Sequence, residues 1–213
     1  MSTTKIHLLR HGEVENPENV IYERLPDFHL SVRGQEMAKA SADFIAKGEV
    51  MSNINQIYSS PLDRTIETAR YASTALGGLP VKVDDRLIES QNKFAGKNVN
   101  QEIKRLANEH HYIQIFKYFN RPFTPSWGEP YVQVAQRMFE FIEEVRQKHQ
   151  GEEVLIVSHQ SPIWCVRRLY EHKNPQHNPK MRVCSLCSIT SLIFNDEAGE
   201  LVHTEYRTPA AHI

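Results

Sequence analysis

Two histidines and two arginines stand shortly after apolar runs of the chain, at points where the polypeptide leaves a predicted strand. Arg10 and His11 follow the first run, Arg64 lies just after the second, and His159 follows a third. A guanidinium group holds an oxyanion through two parallel hydrogen bonds, and a neutral imidazole nitrogen is a nucleophile. Such a set suits the binding of a phosphoryl group and attack on its phosphorus, provided that the fold brings the three segments together.

The apolar runs are predicted to be strands, because short apolar segments bounded by polar residues are typical of buried strands. Six strands are predicted, over residues 6–9, 54–58, 81–83, 154–157, 188–194 and 201–206. Helices are predicted from Ser31 to about Lys47, from an N-cap at Ser60 to Gly77-Gly78, over 100–108, from Tyr131 to Gln150, and from Pro162 to Tyr170. The core-facing residues expected on the second helix are Ile66, Ala69, Ser73 and Leu76.

Strands that alternate with helices predict an α/β fold, here a three-layer α/β/α arrangement with a central, mostly parallel sheet flanked by helices on both faces. We expect a single domain over residues 1–213, with a lid-like insertion at about 91–128. In folds of this class, ligands bind at the carboxyl ends of the strands. The candidate residues all follow predicted strands, so we expect them to form one site. Gly12 lets the backbone approach a ligand closely.

The composition narrows the class of protein further. The chain has 213 residues, and 25 Lys and Arg balance 26 Asp and Glu, so the net charge is -1. A near-neutral chain lacks a global attraction to nucleic acid or to an anionic membrane, and neither is expected as a partner. Three cysteines without framework spacing predict free thiols rather than disulfides. The absence of a leader or of a membrane-spanning apolar run leads us to expect a cytoplasmic protein.

Four segments resemble, in the same order, the signature segments of the histidine phosphatase (phosphoglycerate mutase-like) superfamily. Residues 8–13 contain Arg10-His11-Gly12 and resemble its R-H-G signature, and residues 60–69 resemble its S-P-x-x-R-x-x-x-T-A stretch. Residues 86–89, with a glycine seven positions later, are similar to its acidic-loop segment, and residues 157–159 are similar to its second-histidine strand end. The R-H-G signature alone is a weak signal, but the ordered set is a strong one.

The resemblance implies a metal-independent phosphatase that hydrolyses phosphate monoesters through a phosphohistidine at His11. It implies that Arg10, Arg64 and His159 hold the phosphoryl oxygens and that Glu89 is the general acid. Neither a metal nor a cofactor is expected, because two guanidinium groups neutralise the charge of the transferred group. The expected partner is a small phosphorylated metabolite or a phosphoprotein, and the protein is expected to be a monomer or a homodimer.

Two alternative functions, and the roles of several further residues, are left open by the sequence. The mutase branch usually shows R-H-G-E-S-x-W-N, which this chain does not match after Glu13, and the insertion has only isolated arginines at 105 and 121. These departures favour a phosphatase over a phosphoglycerate mutase, and the complete residue set argues against a non-catalytic module that only binds phospho-ligands. Glu13 is the competing acid. Asn16, Arg24 and Gln160 are candidate substrate contacts, although Asn16 and Arg24 are equally well explained as residues that hold their loop.

Overall fold

The computed structural model describes residues 2–48, 51, 53–98, 101 and 128–213. Its strands are β1 (Thr3–Arg10), β2 (Ile54–Ser59), β3 (Val81–Val83), β4 (Glu153–Ser158), β5 (Ile189–Asn195) and β6 (Glu200–Arg207). Its helices are α1 (Val32–Ala46), α2 (Asp63–Ala75), α3 (Tyr131–Lys148) and α4 (Gln160–Tyr170), with 3-10 turns at Asp85–Leu87 and Pro179–Met181. The predicted helix over 100–108 and most of the predicted insertion at 91–128 lie outside the described residues. Among the described helices, none has both the length and the apolar character needed to cross a membrane.

The six strands form one sheet in the order β3-β2-β4-β1-β5-β6. The pairs β3–β2, β2–β4 and β4–β1 are parallel, whereas β1–β5 and β5–β6 are antiparallel. The mostly parallel sheet is therefore confirmed. The register aligns Arg10 with Ser158 and Ser59 with Val157. As a result, β1, β2 and β4 end side by side at one edge of the sheet.

Successive residues of each strand face opposite sides of the sheet, and each side is covered by helices. On one side, Leu8 of β1 belongs to a buried cluster that includes Met138 of α3 and Ile163 of α4. On the other side, Leu9 belongs to a cluster that includes Ile45 of α1, together with alanines of α2. Helices therefore flank both faces, as the three-layer prediction requires.

Helix α2 differs from its prediction at its start and on its buried face. The N-cap is Leu62 rather than Ser60, and no side chain caps the helix. Ser60 fails as a cap because its hydroxyl bonds His159 instead, at 2.7 Å from Nε2. The buried residues of α2 are Arg64, Thr65, Thr68, Ala69 and Ala72, so only Ala69 of the predicted stripe is buried. The helix turns a largely polar face inward because that face borders the strand ends.

Helix α1 follows its prediction closely, with Ser31 as N-cap accepting a hydrogen bond from the backbone N–H of Gly34. Its first turn lies directly against the loop that follows β1. A Cβ atom at Gly34 would lie 2.0 Å from the carbonyl oxygen of Glu13, and one at Gly12 would lie 2.5 Å from that of Gly34. The two glycines therefore allow two backbones to touch beside His11. The three cysteines are free, as the sequence predicts, and the structure places all three in buried positions.

Gly34→Ala is expected to lower the free energy of unfolding by about 1–3 kcal/mol, because the added methyl group would overlap the backbone of Glu13. An alanine inside a helix normally stabilises it by about 1 kcal/mol relative to glycine, so the sign of the effect is informative. Urea unfolding followed by circular dichroism measures the change. Glu36→Ala, at an exposed position of the same helix, is the control. A Gly34→Ala protein as stable as the parent would contradict the close contact.

Candidate active site

Three strand ends are joined by backbone hydrogen bonds at the edge of the sheet where the candidate residues lie. The N–H of His11 donates to the carbonyl oxygen of Ser158 at 3.1 Å, and the N–H of Ser60 donates to that of Val157 at 3.0 Å. The N–H of Arg10 donates to the carbonyl oxygen of Ser188 at 3.1 Å. The segments that carry Arg10, His11 and His159 are thus held together by the sheet itself.

His11 is buried, with 2% of its surface exposed. Its Nδ1 lies 2.7 Å from the carbonyl oxygen of Gly12. Because a carbonyl oxygen only accepts hydrogen bonds, Nδ1 carries the proton and Nε2 carries the lone pair. The ring also meets that of His159 edge-on, with centroids 5.2 Å apart. The local backbone therefore selects the tautomer in which Nε2, the nitrogen of the predicted nucleophile, has the free lone pair.

Burial and neighbouring positive charge keep both histidines neutral. Burial lowers the pKa of His11 well below 6.5, and the guanidinium groups of Arg64 and Arg10 lower it further. The pKa of His159 falls for the same reasons, led by burial and then by Arg64. A protonated imidazole is not a nucleophile, so this environment preserves the reactive form of His11 at neutral pH.

The two arginines are held with part of each guanidinium group unsatisfied. Arg64 is 1% exposed, and its Nη2 donates to the carbonyl oxygen of Glu23. Its Nε and Nη1 are buried without a hydrogen-bond partner among the described residues, as is the Nε of Arg10. The Nη1 of Arg10 donates to the carbonyl oxygen of Cys184 at 2.7 Å. Buried donors that lack acceptors are costly, so this arrangement fits a site whose ligand is an anion.

His159 is completely buried and bonds Ser60 through Nε2. Its Nδ1 is buried with no partner among the described residues. If the hydroxyl of Ser60 donates to Nε2, then Nδ1 carries the proton and can donate it to a phosphoryl oxygen. Ser60 therefore has the position needed to select that tautomer of His159.

A cavity of about 220 Å³ opens onto part of this group, and neither Arg64 nor His159 is among the residues that line it. The predicted residues that line it are Arg10, His11, Glu89 and Gln160. Glu89 is 8% exposed, and its Oε1 accepts a hydrogen bond from the N–H of Ser90 at 2.7 Å. Gln160 donates through Nε2 to the carbonyl oxygen of Cys184 at 3.3 Å. The predicted nucleophile and the predicted acid thus line one cavity.

Two candidate substrate contacts and the competing acid have their side chains engaged elsewhere. The amide of Asn16 bonds both the N–H and the carbonyl oxygen of Val20. Arg24 donates to the carbonyl oxygen of Glu89 at 2.6 Å and to Glu129, so it holds the loop of Glu89. Glu13 accepts from Ser31 and Arg33 at the start of α1. None of these three lines the cavity beside His11.

The cavity wall also contains Tyr22, Glu23 and Arg182, which the sequence analysis did not select. The ring of Tyr22 lies 4.9 Å from Cζ of Arg64 and covers its guanidinium group. Burial and the nearby Glu89 raise the pKa of Glu23 to about 7. These residues come from irregular loops, where neither periodicity nor a strand end marks a position. The sequence marks them only by residue type, because each is a charged or aromatic residue in a loop between candidate segments.

Asp27, His29 and Asp63 form a separate cluster of metal-ligating residue types near the surface. One ligand atom of each lies within 4.8 Å of those of the other two. The spacing of the histidines in the sequence did not predict this cluster. His29 Nδ1 is paired with Glu67 at 2.5 Å, and Oδ2 of Asp63 accepts from the N–H of Asp27. These bonds tie the first loop to the start of α2. The cluster lies outside the residues that line the cavity.

Nuclear magnetic resonance of ¹⁵N-labelled histidine in phosphate-free buffer tests the electrostatic environment of the site. We expect the rings of His11 and His159 to stay neutral as the pH is lowered through 6.5, because burial and the nearby arginines hold both pKa values well below that value. His29 is the internal control, since the exposed ion pair with Glu67 raises its pKa above 6.5. Titration of either buried ring at or above 6.5 would contradict the arrangement of charges described here.

Comparison with known proteins agrees with this geometry. The profile of the histidine phosphatase superfamily (branch 1) matches residues 6–206. An uncharacterized protein of Mycobacterium tuberculosis is 41% identical over 208 residues, which are 98% of either chain. Phosphoserine phosphatase 1 of Hydrogenobacter thermophilus is 33% identical over 75% of this chain and 72% of its own length. The structure of YhfR from Bacillus stearothermophilus superposes with a TM-score of 0.74 at 25% identity, covering 93% of this chain and 94% of that one. The chain belongs to the histidine phosphatase superfamily.

Proposed function

We propose that this protein is a metal-independent phosphatase that hydrolyses phosphate monoesters through a phosphohistidine intermediate at His11. The observation that carries the proposal is a buried, neutral imidazole whose Nε2 is the free nitrogen, near two partly unsatisfied guanidinium groups. A nucleophile next to a fixed anion site is the minimum that phosphoryl transfer requires. Membership of the superfamily supports the same assignment.

In the first step, Nε2 of His11 attacks the phosphorus as the bond from phosphorus to the ester oxygen breaks. The groups proposed to hold the phosphoryl oxygens are Arg10, Arg64 and the Nδ1–H of His159. Their donors are fixed before the substrate arrives, so little reorganisation is needed when charge builds up on the transferred group. The charge is neutralised by guanidinium groups of the chain, which is why the proposal includes no metal.

The leaving alcohol requires a proton, because an alkoxide is a poor leaving group. Glu89 is the proposed donor, since it lines the same cavity as His11 and is almost fully buried. In the second step the resulting carboxylate takes a proton from water, and the water oxygen attacks the phosphorus of the phosphohistidine. The bond from phosphorus to nitrogen then breaks, inorganic phosphate leaves, and His11 returns to its neutral form.

The proposed substrate is a small phosphorylated metabolite. A cavity of about 220 Å³ adjoins a second one of about 160 Å³, and Glu23, Ser161 and Arg182 line both. Chambers of this size fit a compact ester better than a folded phosphoprotein. We also propose a cytoplasmic location, which three free, buried cysteines support.

His11→Ala is expected to lower hydrolysis of p-nitrophenyl phosphate by at least about 1000-fold, because no other described group stands in the position of the nucleophile. Hydrolysis by the unchanged protein is expected to persist in EDTA. The matched control is His203→Ala, at an exposed position of β6 where the ring pairs with Glu205. Activity that survives in His11→Ala would show that the nucleophile is misassigned.

Glu89→Gln is expected to reduce turnover of an alkyl phosphate by about 100-fold or more, and that of p-nitrophenyl phosphate much less. The reason is that p-nitrophenolate departs without a proton, whereas an alkoxide does not. Initial rates on the two esters give the ratio directly. Glu13→Gln removes the same charge beside α1 and is expected to leave the ratio unchanged. Equal losses on both esters would exclude Glu89 as the proton donor.

A further inference from the structure

Arg182 presents a fixed positive charge to the cavity beside His11. Its Nε donates to Nε2 of His177 at 2.8 Å, and its Nη2 donates to the hydroxyl of Tyr131 at 2.9 Å. The Nδ1 of His177 bonds the carbonyl oxygen of Pro175, and burial lowers the pKa of this histidine to about 4, so its Nε2 is a neutral acceptor. In the described part of the chain, Arg182 has neutral hydrogen-bond partners and no ion pair. A guanidinium group held in this way is suited to a ligand carboxylate.

Glu23 brings a carboxyl group to the same cavity from the loop between β1 and α1. Its backbone has a φ of 28°, in the left-handed region that non-glycine residues rarely adopt. In this conformation its carbonyl oxygen accepts from Arg64, and its Oε1 accepts from Nδ2 of Asn92 at 3.5 Å. Strained backbone of this kind is concentrated at ligand sites. The loop therefore fixes Glu23 at the boundary of the chamber.

Glu23 and Arg182 line both the chamber beside His11 and the adjoining one of about 160 Å³. They do not form an ion pair with each other, although each carries a charge toward the same space. Glu89 shares the first chamber, and its proximity is one cause of the raised pKa of Glu23. A ligand cation placed beside Glu23 would stabilise the charged form of its carboxyl group. A ligand anion placed at Arg182 would pair a guanidinium group that has only neutral partners.

We propose that Glu23 and Arg182 form a subsite for an alcohol that carries both an ammonium group and a carboxylate group, so that the substrate class is the phosphate monoester of a hydroxy amino acid. The inference rests on the proposed function for the phosphate end of the substrate. Glu23 pairs with the ammonium group, and Arg182 pairs with the carboxylate. An alcohol with a carboxylate alone meets the negative charge of Glu23 uncompensated, and one with an ammonium alone leaves Arg182 without an anion.

Three esters separate these contributions. O-Phosphoserine carries both groups, 3-phosphoglycerate has a hydroxyl in place of the ammonium, and phosphoethanolamine lacks the carboxylate. We expect kcat/KM for O-phosphoserine to exceed that for either of the others by about tenfold or more. Because each comparison is a ratio measured on one protein sample, a variant that folds poorly does not change it.

Two variants test which residue recognises the ammonium group of O-phosphoserine and which recognises its carboxylate. Glu23→Gln is expected to reduce the ratio of O-phosphoserine to 3-phosphoglycerate by about tenfold, and Arg182→Gln to reduce the ratio of O-phosphoserine to phosphoethanolamine similarly. The controls are Glu18→Gln in the first loop and Lys180→Gln in the second, both exposed. They remove the same charges from the same loops and are expected to leave the ratios unchanged. Ratios unaltered in Glu23→Gln and Arg182→Gln would overturn the subsite.

The preference for O-phosphoserine over 3-phosphoglycerate is also expected to depend on pH. The pKa of Glu23 is about 7, so its carboxylate is charged above that value and largely neutral below it. The charged groups facing it are Glu89, Arg182 and Arg64, and Asn92 bonds it. The ratio should rise from about pH 6 to about pH 8 in the unchanged protein. It should stay flat in Glu23→Gln, and a rise that persists there would contradict the role of Glu23.

Binding separates failure of the subsite from failure of the proposed function. Calorimetry of the three esters with His11→Ala protein measures recognition without turnover, and the same order of affinity is expected. If p-nitrophenyl phosphate is hydrolysed but the three esters bind and react alike, the subsite is wrong and the phosphatase assignment stands. If the unchanged protein hydrolyses no ester but His11→Ala binds them in the expected order, the phosphatase assignment is wrong and the subsite stands.

Discussion

The burial of Arg64 is the constraint on which the rest of the site depends. A guanidinium group keeps its charge at any physiological pH, so it must find acceptors within the protein or in a ligand. Arg64 is 1% exposed, yet only its Nη2 has a partner among the described residues. Burial, and after it the same charge, lowers the pKa of His11 and of His159. Arg64 thus keeps the proposed nucleophile neutral, and in the proposed reaction it also attracts the phosphoryl group.

The architecture provides the place for that charge. Parallel pairing of β1, β4 and β2 brings their carboxyl ends to one edge, and α2 starts directly after β2 with Arg64 on its buried side. The hydroxyl of Thr68, one turn later, accepts a hydrogen bond from the N–H of Gly12 and ties α2 to the loop that follows β1. Gly12 and Gly34 let that loop and α1 meet backbone to backbone. The proposed anion site is therefore preorganised, because the strands, α2 and the loop after β1 each fix one part of it.

The sequence predicted the sheet and the described helices, and it selected residues that the fold gathers at one edge of the sheet, because each of these has a local signal. Apolar runs mark the strands, Ser31 marks the start of α1, and the strand-end rule selects His11 and His159. Ser60 shows where local signals fail, since its hydroxyl serves His159 across the sheet rather than the first turn of α2. Glu23 and Arg182 lie far apart in irregular loops. They reach one cavity only in the folded chain, and no periodic pattern in the sequence predicts that they lie close together.

The proposed roles divide the residues of the site into an inner layer and an outer layer. The inner layer, which we propose holds the phosphoryl group, has little freedom. His11, Arg64 and His159 are buried, and they follow β1, lie in α2 and follow β4, respectively. The outer layer, formed by Glu23 and Arg182, comes from loops that differ more readily between relatives. Such a division allows one reaction to be retained while the alcohol part of the substrate changes.

The central claim is that His11 accepts the phosphoryl group, and mapping the phosphorylated residue tests it most directly. The protein would be mixed with a phosphate monoester, quenched in alkali, where phosphohistidine survives, and digested for peptide mass spectrometry. The account predicts phosphate on the peptide that contains His11, on Nε2 of its ring, and its loss on incubation with water. Phosphate found on another residue during active hydrolysis would contradict the account.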